Sequence, residues 1–360
     1  LIAFEWERKS GARGMHGLLL LLQTALLGAL CAQDLFLLFF FWAMSVLPVY
    51  FLIGIWGGEG RETAAFRSII SASVGNALFF SALILVYYSV DPHTFSLRGL
   101  SQARLDEKVV VIMGRDFHVS RLAFLLVCGG LVLRTPIWPF HGWFTSVCRE
   151  APPSVAVALA AGAMPTAVYL FLRLSFALFP SAIADASPFI VGVGVVSLIV
   201  GCLSAAVQRG LRLLFAFLCV VEMGLLLVGI GSLNPIAVVG ALYQVLTFGI
   251  AIAGLGLFIG MTSDRTGKGH FATEKGESTM GGAVGTAPGA AVVVGVIIAS
   301  VLGFPGLGGF VGNGLLMIGS FAVFPAAALI AAGVILLEAY CLFTVYKYVF
   351  LGPENATSGE

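Results

Sequence analysis

The sequence predicts an all-α polytopic membrane protein with about ten transmembrane helices, arranged as two inverted five-helix repeats, each with a discontinuous fourth helix. Of the 360 residues, 59% are hydrophobic and only 10% are charged, whereas a soluble domain carries about a quarter charged residues. Apolar runs of transmembrane length, roughly 20 residues, recur along nearly the whole chain. This composition excludes a soluble enzyme, a disordered chain and a nucleic-acid binder.

The apolar stretches contain two breaks that differ from ordinary loops. The first break holds Pro136 and Pro139, and the second holds Pro305 and Gly306. Proline removes an amide donor and glycine loosens the backbone, so we expect unwound helix at membrane depth at both places. The apolar stretches are 16–32, 34–56, 66–90, 119–138, 153–179, 188–208, 211–232, 235–262, 283–304, 308–323 and 325–350.

The placement of Lys and Arg predicts the topology. If the first stretch runs from the cytoplasm outwards and 283–323 is one discontinuous span, most basic residues lie on the cytoplasmic side, and the long 91–118 loop is the exception. The polar segment 263–282 is then a cytoplasmic loop. Inverted repeats with discontinuous helices are typical of proteins that move ions, and the broken helices mark the pathway. The predicted polar N-terminal segment, two repeats and polar tail are 1–15, 16–179, 180–351 and 352–360.

Several stretches of the sequence carry a family resemblance. They are FWAMSVLPVYFLIGIWGG (41–58), PIWPFHGWF (136–144), EAPPSVAVALAAGAMPTAVYLFLR (150–173), VQRGLRLLFAFLCVVEMG (207–224), GALYQVLTFG (240–249), LGFPGLGGFVGN (302–313) and YKYVFLGP (346–353). Together they resemble the antiporter-like membrane subunits of NADH–quinone oxidoreductase (complex I), of the subunit M or chain 4 type. The resemblance implies a longer family chain, so we expect the first three spans and the last span of the family to be missing here.

The resemblance also implies charged residues along a central hydrophilic axis, and this sequence departs from that pattern. The family places glutamate, lysine, lysine, histidine, histidine and glutamate at six positions in chain order. The residues at these positions are Ala43, Arg134, Pro165, Glu222, Phe248 and Asn313. A glutamate–lysine pair lets a buried lysine release its proton because each partner tunes the pKa of the other. Arginine stays charged, so we expect Arg134 to be a fixed cation and not a proton carrier.

Four ionisable residues remain as candidates for a proton path or polar axis. A charge at bilayer depth costs at least ~2.5–3.5 kcal/mol on insertion scales, so each of these residues requires a stabilising partner or a function. Arg134 is either a cation of the pathway or a snorkelling arginine held by helix carbonyls. His141 is either a relay or a neutral imidazole that caps unwound backbone. Glu222 is either part of a polar axis or an isolated neutral acid, and Glu338, which is not a usual family position, is expected to pair with another helix or subunit.

No motif for a cofactor or a metal is evident. The six cysteines are scattered and form no CxxC pair, which argues against an iron–sulfur cluster, a zinc site and a disulfide framework. The sequence has no Walker motif and no HExxH motif. We therefore expect no catalytic, redox or nucleotide site in this chain, and the resemblance implies that NADH, FMN, iron–sulfur clusters and quinone bind to partner subunits.

The resemblance implies a membrane-arm subunit of a proton-translocating NADH–quinone oxidoreductase, with translocation that is modified or impaired because so few of the family's ionisable residues are present. One alternative is a subunit of a related cation/proton antiporter or membrane-bound hydrogenase. Another is a structural subunit of the membrane arm that does not pump. The expected partners are other membrane subunits and the lipid bilayer, with no nucleic acid, and the expected location is the bacterial inner (plasma) membrane.

Overall fold

The protein is described by a computed structural model that covers residues 12–112, 115–266 and 283–351, and most of these residues are helical. The helices are α1 (Ala12–Cys31), α2 (Leu35–Met44), α3 (Val46–Trp56), α4 (Arg61–Tyr88), α5 (Leu97–Gln102), α6 (Val119–Val132), α7 (Gly142–Glu150), α8 (Pro153–Ala158), α9 (Met164–Leu178), α10 (Pro180–Ala206), α11 (Leu211–Gly231), α12 (Pro235–Thr266), α13 (Ala283–Thr286), α14 (Pro288–Val301), α15 (Gly308–Val323) and α16 (Pro325–Tyr346). A 3₁₀ turn spans Leu105–Glu107, and π-helical turns span Leu159–Ala163 and Lys347–Leu351.

Long apolar helices dominate the fold, as the composition predicts. Within the described residues, 8 helices are long and apolar enough to cross a membrane. Shorter apolar helices, α6, α14 and α15, flank the two predicted breaks. The eight long segments are Arg13–Cys31, Leu35–Trp56, Arg61–Tyr88, Pro153–Leu178, Pro180–Ala206, Leu211–Gly231, Pro235–Thr262 and Pro325–Leu351.

The chain forms two compact units. The first unit comprises Leu1–Ala151 and Gly162–Ile190, and the second comprises Pro152–Ala161 and Val191–Glu360. In the first unit, α4 packs against α3, α6 and α7, and α1 packs against α2 and α3. In the second unit, α12 is central, because it packs against α8, α11, α14 and α15.

The segment 91–118, predicted only as a loop, contains local structure. It holds α5, the 3₁₀ turn and an antiparallel hairpin of β1 (Val109–Ile112) and β2 (Arg115–His118), in which Val109 pairs with His118. The run of valines favours a strand, because β-branched side chains fit an extended backbone. Leu100 and Leu105 are buried and anchor the segment.

Helix α10 begins at Pro180, eight residues before the apolar stretch that predicted it at 188. Proline is well tolerated in the first turn of a helix, where its missing N–H costs no hydrogen bond. Ser181 donates a hydrogen bond to Asp106, and Asp185 forms an ion pair of 2.7 Å with Arg121. These polar contacts explain why the helix extends beyond its apolar part.

Three predicted segments lie partly or wholly outside the residues that the structure describes. Helix α12 continues to Thr266, and the remainder of the predicted loop 263–282 lies outside the described residues. Most of the predicted segment 1–15 and all of 352–360 also lie outside them.

Pro165 is in the first turn of α9, directly after the π-helical turn. Because proline cannot donate to the preceding turn, this position suits a local widening of the helix.

Candidate functional site

The first break lies between α6 and α7, and Arg134 is its second residue. The Nη1 atom of Arg134 donates hydrogen bonds to the carbonyl oxygen of Trp42 (2.8 Å) and to Oδ1 of Asn76 (3.3 Å). The Nη2 atom donates to Oγ of Ser45 (2.6 Å). The guanidinium carbon also lies 3.9 Å from the centroid of the Trp42 ring, in the geometry of a cation–π contact.

The acceptors for Arg134 come from the junction of α2 and α3. The helix is interrupted at Ser45, three residues before Pro48, which has no N–H and crowds the carbonyl of the preceding turn. At this interruption the carbonyl oxygen of Trp42 accepts one hydrogen bond from Oγ of Ser45 (2.7 Å) and one from Arg134. A break in one span thus supplies oxygen atoms that hold a cation from another span.

All acceptors that surround Arg134 are neutral. In the described part of the chain no carboxylate forms an ion pair with it, and Ala43, which follows Trp42 in the sequence, stands where the family resemblance implies a glutamate. A charge in an apolar environment is tolerated when it is well hydrogen-bonded. Two carbonyl-type oxygens, a hydroxyl and an aromatic face supply that environment, and these neutral groups hold the Arg134 cation.

Close packing of α4 on α6 brings Arg134 to this position. A Cβ atom on Gly75 would lie 2.7 Å from the carbonyl oxygen of Gly130, and a Cβ on Gly130 would lie 2.7 Å from that of Gly75. Only glycine permits backbones to approach so closely. Past the end of α6, Oγ of Ser71 donates to the carbonyl oxygen of Leu133 and thereby satisfies part of the unwound backbone.

The other predicted residues of the first break follow Arg134 in the non-helical segment. Pro136 is buried, whereas Pro139 is exposed. His141 is partly buried and precedes α7, and its carbonyl oxygen accepts hydrogen bonds from the N–H groups of Phe144 (3.1 Å) and Thr145 (3.2 Å). These bonds form the first turn of α7, so the His141 backbone has a structural role at the break.

The second break lies between α14 and α15. Gly303 and Gly306 have positive φ angles of 72° and 94°, which favour glycine, and Pro305 is exposed between them. Asn313 is buried on α15, and its Nδ2 lies 3.5 Å from the carbonyl oxygen of Val301, the last residue of α14. Gly303 and Gly306 therefore allow the tight turns of the unwound segment, and the side-chain amide of Asn313 contacts the last carbonyl of α14.

Buried polar side chains cluster in the second unit. The carboxyl group of Glu222 on α11 lies near enough to the Gln244 side chain on α12 to interact with it, although Oε1 of Glu222 and Nε2 of Gln244 have no hydrogen-bond partner among the described residues. Glu338 on α16 lies near enough to Glu222 for the two carboxyl groups to interact electrostatically. Glu222 is 2% exposed, Gln244 0% and Glu338 5%. The structure thus brings two of the predicted residues, Glu222 and Glu338, into one cluster.

The surroundings of these two acids are uncharged apart from the acids themselves, as far as the described residues extend. In the described residues no basic side chain forms an ion pair with Glu222 or Glu338. Two carboxylates at close range in a low-dielectric interior repel each other, and each also loses its hydration. Ionisation of both carboxyl groups at once is therefore unfavourable. Such a group can take up and release protons without a metal or a cofactor.

Sequence reasoning missed Gln244 and the cysteines beside Glu338. Gln244 lies in the middle of an apolar helix, and a polar amide there was a signal that could have identified it. Cys202 and Cys341 are buried thiols close to each other and to Glu338. The contacts between α10, α11, α12 and α16 that bring these groups together have no signal in the sequence.

Metal ligation has no support in the described ranges, which contain no group of three or more His, Cys, Asp or Glu side chains that could hold a metal ion. The first unit presents a permanent cation, and the second presents a protonatable acid pair.

Comparison with known proteins gives three findings. A model of the NADH:quinone oxidoreductase/Mrp antiporter transmembrane family matches residues 32–337. NADH-quinone oxidoreductase subunit M of Rickettsia prowazekii (strain Madrid E) is 28% identical over 338 residues, which cover 94% of this chain and 66% of the relative. The chain therefore spans about two thirds of the length of that relative.

The fold is similar to that of chains in solved membrane complexes. A chain of respiratory complex I from Thermus thermophilus with bound NADH superposes with a TM-score of 0.87 and 25% identity, over 99% of this chain and 71% of that chain. A chain of the Mrp complex from Dietzia sp. DQ12-45-1b superposes with a TM-score of 0.83 and 24% identity, over 95% of this chain and 62% of that chain. This second likeness concerns the fold alone.

The family match covers most of the chain, and the family resemblance inferred from the sequence motifs is confirmed. The 8 long apolar helices agree with it. The chain is an integral membrane protein that belongs to the NADH:quinone oxidoreductase/Mrp antiporter transmembrane family.

Proposed function

We propose that this chain is a membrane-arm subunit of a proton-translocating NADH–quinone oxidoreductase in a bacterial inner membrane. The observation that carries the proposal is the match of 94% of the chain to a relative named NADH-quinone oxidoreductase subunit M. The fold similarity to a chain of respiratory complex I, at a TM-score of 0.87, supports the same conclusion.

In this function the two clusters have different roles. Glu222 and Glu338 bind and release protons in the second unit, and Arg134 supplies a constant positive charge at the break of the first unit. His141, on the far side of that break, is a relay candidate because imidazole exchanges protons near neutral pH. The unwound segments at Pro136, Pro139, Pro305 and Gly306 expose backbone polar groups along the path.

The architecture we propose has ten spans in two inverted repeats, 16–179 and 180–351, with polar segments at 1–15 and 352–360. The 8 long helices, the short apolar helix α6 before the first break, and the pair α14 and α15 around the second break support this count, if α14 and α15 form one span. The discontinuous fourth span of each repeat then carries one of the two breaks.

Electron transfer belongs to other subunits in this proposal. NADH, FMN, iron–sulfur clusters and quinone are bound by partner subunits, and this chain contacts other membrane subunits and lipid.

One observation favours a modified path in the first unit. At the position where the family resemblance implies a proton-exchanging lysine, this chain has Arg134 in a neutral shell, and it has Ala43 where the resemblance implies the partner glutamate. Because arginine keeps its proton, the first unit does not relay protons by this pair. Proton exchange is therefore concentrated in the second unit, and loss of exchange there as well would leave a purely structural subunit.

The experiment that tests membership is native electrophoresis of membranes from the source organism with a tagged copy of the full chain. We expect the tagged chain to migrate in a large complex that stains for NADH oxidation, and deletion of the gene to reduce the size of that complex. Migration in a complex without NADH oxidation that exchanges cations for protons would overturn the proposal in favour of an antiporter. Recovery as a lone monomer would also overturn it.

A further inference from the structure

A groove lies between the end of α3 and the start of α4. Its volume is about 640 Å³, which is within the range of roughly 300–1,000 Å³ that is usual for small-molecule sites. Two small residues, Gly54 and Ala65, lie where the helices meet, and a Cβ atom on Gly54 would be 3.9 Å from Cβ of Ala65. The larger side chains that line the groove are Tyr50, Phe51 and Ile55 from α3, and Glu62, Thr63 and Phe66 from α4.

The position of the groove along the two helices places it at the membrane surface. The long apolar segments that form it, Leu35–Trp56 and Arg61–Tyr88, are joined by the short turn 57–60. Trp56 ends the first segment, and tryptophan is enriched at the boundary between hydrocarbon and headgroups. From Tyr50 to Ile55 a helix rises about 8 Å. The groove therefore reaches only the outer part of a hydrocarbon core that is roughly 30 Å thick.

The deeper part of the groove continues into an exposed apolar surface. Phe51 and Ile55 are exposed on α3, and Leu47 extends the same face by one turn towards the middle of the span. On α4, Phe66 and Ile70 are exposed and are also one turn apart. An acyl chain that enters the groove can therefore continue along these faces into the hydrocarbon core.

Two opposite charges lie at the mouth of the groove. The side chain of Glu62 lines it, and Nη1 of Arg61 lies 3.5 Å from the backbone carbonyl oxygen of Ile55, another lining residue. Both charged residues are exposed. Because adjacent residues of a helix do not face each other, the guanidinium and the carboxylate are separate attachment points. A guanidinium binds a phosphate group, and a carboxylate accepts hydrogen bonds from a primary ammonium.

The charges of the turn favour a headgroup without net charge. Glu59 in the turn is exposed, so two acids and one cation, Arg61, lie between Glu59 and Glu62. Arg67, further along α4, donates a hydrogen bond to Oγ of Ser146 on α7 (3.0 Å) and is engaged there. An anionic headgroup would meet more negative than positive charge at the turn. A zwitterionic headgroup offers a partner to each sign of charge.

We propose that this groove binds one phospholipid whose zwitterionic headgroup carries a primary ammonium, as in phosphatidylethanolamine. Arg61 binds the phosphate, and Glu62 accepts hydrogen bonds from the ammonium. The hydroxyl of Thr63 is a donor for an ester or phosphate oxygen of the same lipid. The first carbons of an acyl chain occupy the space between Phe51 and Phe66.

The length of the groove favours a lipid over a helix of another subunit. A transmembrane helix is roughly 30 Å long, and its packing against another helix extends over several turns. The groove extends over about 8 Å, and its mouth is charged. A charged mouth above an apolar interior is the polarity profile of a phospholipid at the membrane surface.

Photo-labelling of the assembled complex tests the proposal. The complex with the full chain is placed in phosphatidylcholine vesicles that contain a phosphatidylethanolamine probe with a diazirine near the start of one acyl chain. We expect the probe to label peptides that carry residues 50–66. Unlabelled phosphatidylethanolamine in about tenfold excess over the probe should lower the labelling several-fold, because both compete for one site. The same excess of phosphatidylglycerol should not, and equal competition by the two lipids would overturn the proposal.

Variants test the role of each charge. Glu62→Gln keeps the shape of the side chain but removes its charge, so labelling by the probe should fall about threefold. Arg61→Gln should lower it to a similar extent. Gly54→Leu, which places a large side chain inside the groove, should abolish it. The matched control is Glu107→Gln, at an exposed side chain outside the groove, and it should be labelled as the wild type is. Incorporation of every variant into the complex is checked on the native gel.

The identity of the occupant is tested from the protein side. A photoactivatable amino acid in place of Phe66 should capture a phospholipid, and capture of a neighbouring polypeptide would overturn the proposal. Unchanged labelling in both Glu62→Gln and Arg61→Gln would also overturn it, because the groove would then accept lipids without selecting the headgroup. These measurements report lipid contact and not proton translocation. Their outcome is therefore independent of the proposed function.

Discussion

The guanidinium group of Arg134 lies over the indole ring of Trp42, 3.9 Å from its centroid, and donates a hydrogen bond of 2.8 Å to the backbone carbonyl of the same residue. Trp42 therefore contacts the cation with both its ring and its backbone. Since no acid pairs with Arg134 in the described residues, these contacts and those of Ser45 and Asn76 account for its stabilisation.

Substitution of Arg134 separates its charge from its packing. Arg134→Met removes the charge but retains most of the volume, and it leaves the acceptors of Trp42, Ser45 and Asn76 without their donor. We expect it to lower the stability of the assembled complex by about 1–3 kcal/mol, measured by thermal inactivation. Arg134→Lys keeps a cation with fewer directed donors, so it should lower the stability of the complex less than Arg134→Met does. Equal stability of the Met variant and the wild type would contradict this account.

Ser45 joins the α2–α3 junction to Arg134 through its hydroxyl. Ser45→Ala removes an acceptor for Arg134 (2.6 Å) and a donor to the Trp42 carbonyl (2.7 Å), so we expect a loss of about 1–3 kcal/mol in thermal inactivation assays. The control is Ser81→Ala, because Ser81 donates only to its own helix at Ala77 and is exposed. If Ser81→Ala lowers the stability as much as Ser45→Ala does, the role of the Ser45 hydroxyl is contradicted.

The contact between Gly75 and Gly130 is expected to tolerate no side chain. A methyl group on Gly130 would lie 2.7 Å from the carbonyl oxygen of Gly75 and 3.1 Å from Cβ of Phe79. Gly130→Ala should therefore separate α4 from α6 and cost about 1–3 kcal/mol. Gly192→Ala on α10 is the control, because a Cβ there meets nothing within 4 Å. We expect the control to be neutral or slightly stabilising in the same assay, as helix propensity predicts.

Positions of Pro and Gly predicted the breaks, because both residues act on the backbone locally. The contacts across the breaks could not be predicted in this way. Arg134 contacts Trp42 at a separation of 92 residues in the sequence. From the sequence alone, Arg134 could be either a cation of the pathway or a snorkelling arginine. The structure shows the neutral shell that holds the cation.

The acid pair was predicted only as separate residues. Glu222 and Glu338 were identified because charged residues are costly inside a membrane. Their proximity depends on the packing of α11 against α16 and so had no signal in the sequence. Gln244 carries no charge, so the cost of burying a charge in the membrane did not single it out.

The second break depends on the close approach of α15 to α14. A Cβ atom on Gly309 would collide with the carbonyl oxygen of Ser300, so Gly309→Ala should reduce the amount of assembled complex strongly. Gly314→Ala on the same helix is the matched control, because a Cβ there meets nothing within 4 Å. Quantitative native gels measure both variants. Normal assembly of Gly309→Ala would show that the break is more adaptable than its geometry indicates.

The central claim is that protons are exchanged at the acid pair of the second unit, and the most direct test is proton translocation per electron in vesicles that contain the assembled complex with Glu222→Gln. The substitution keeps the shape of the side chain and removes its ionisable group. Glu107→Gln, at a side chain 67% exposed, serves as the control and should behave as wild type. We predict that Glu222→Gln assembles normally and translocates fewer protons per electron. Unchanged translocation, with complex content equal on the same gel, would contradict the claim.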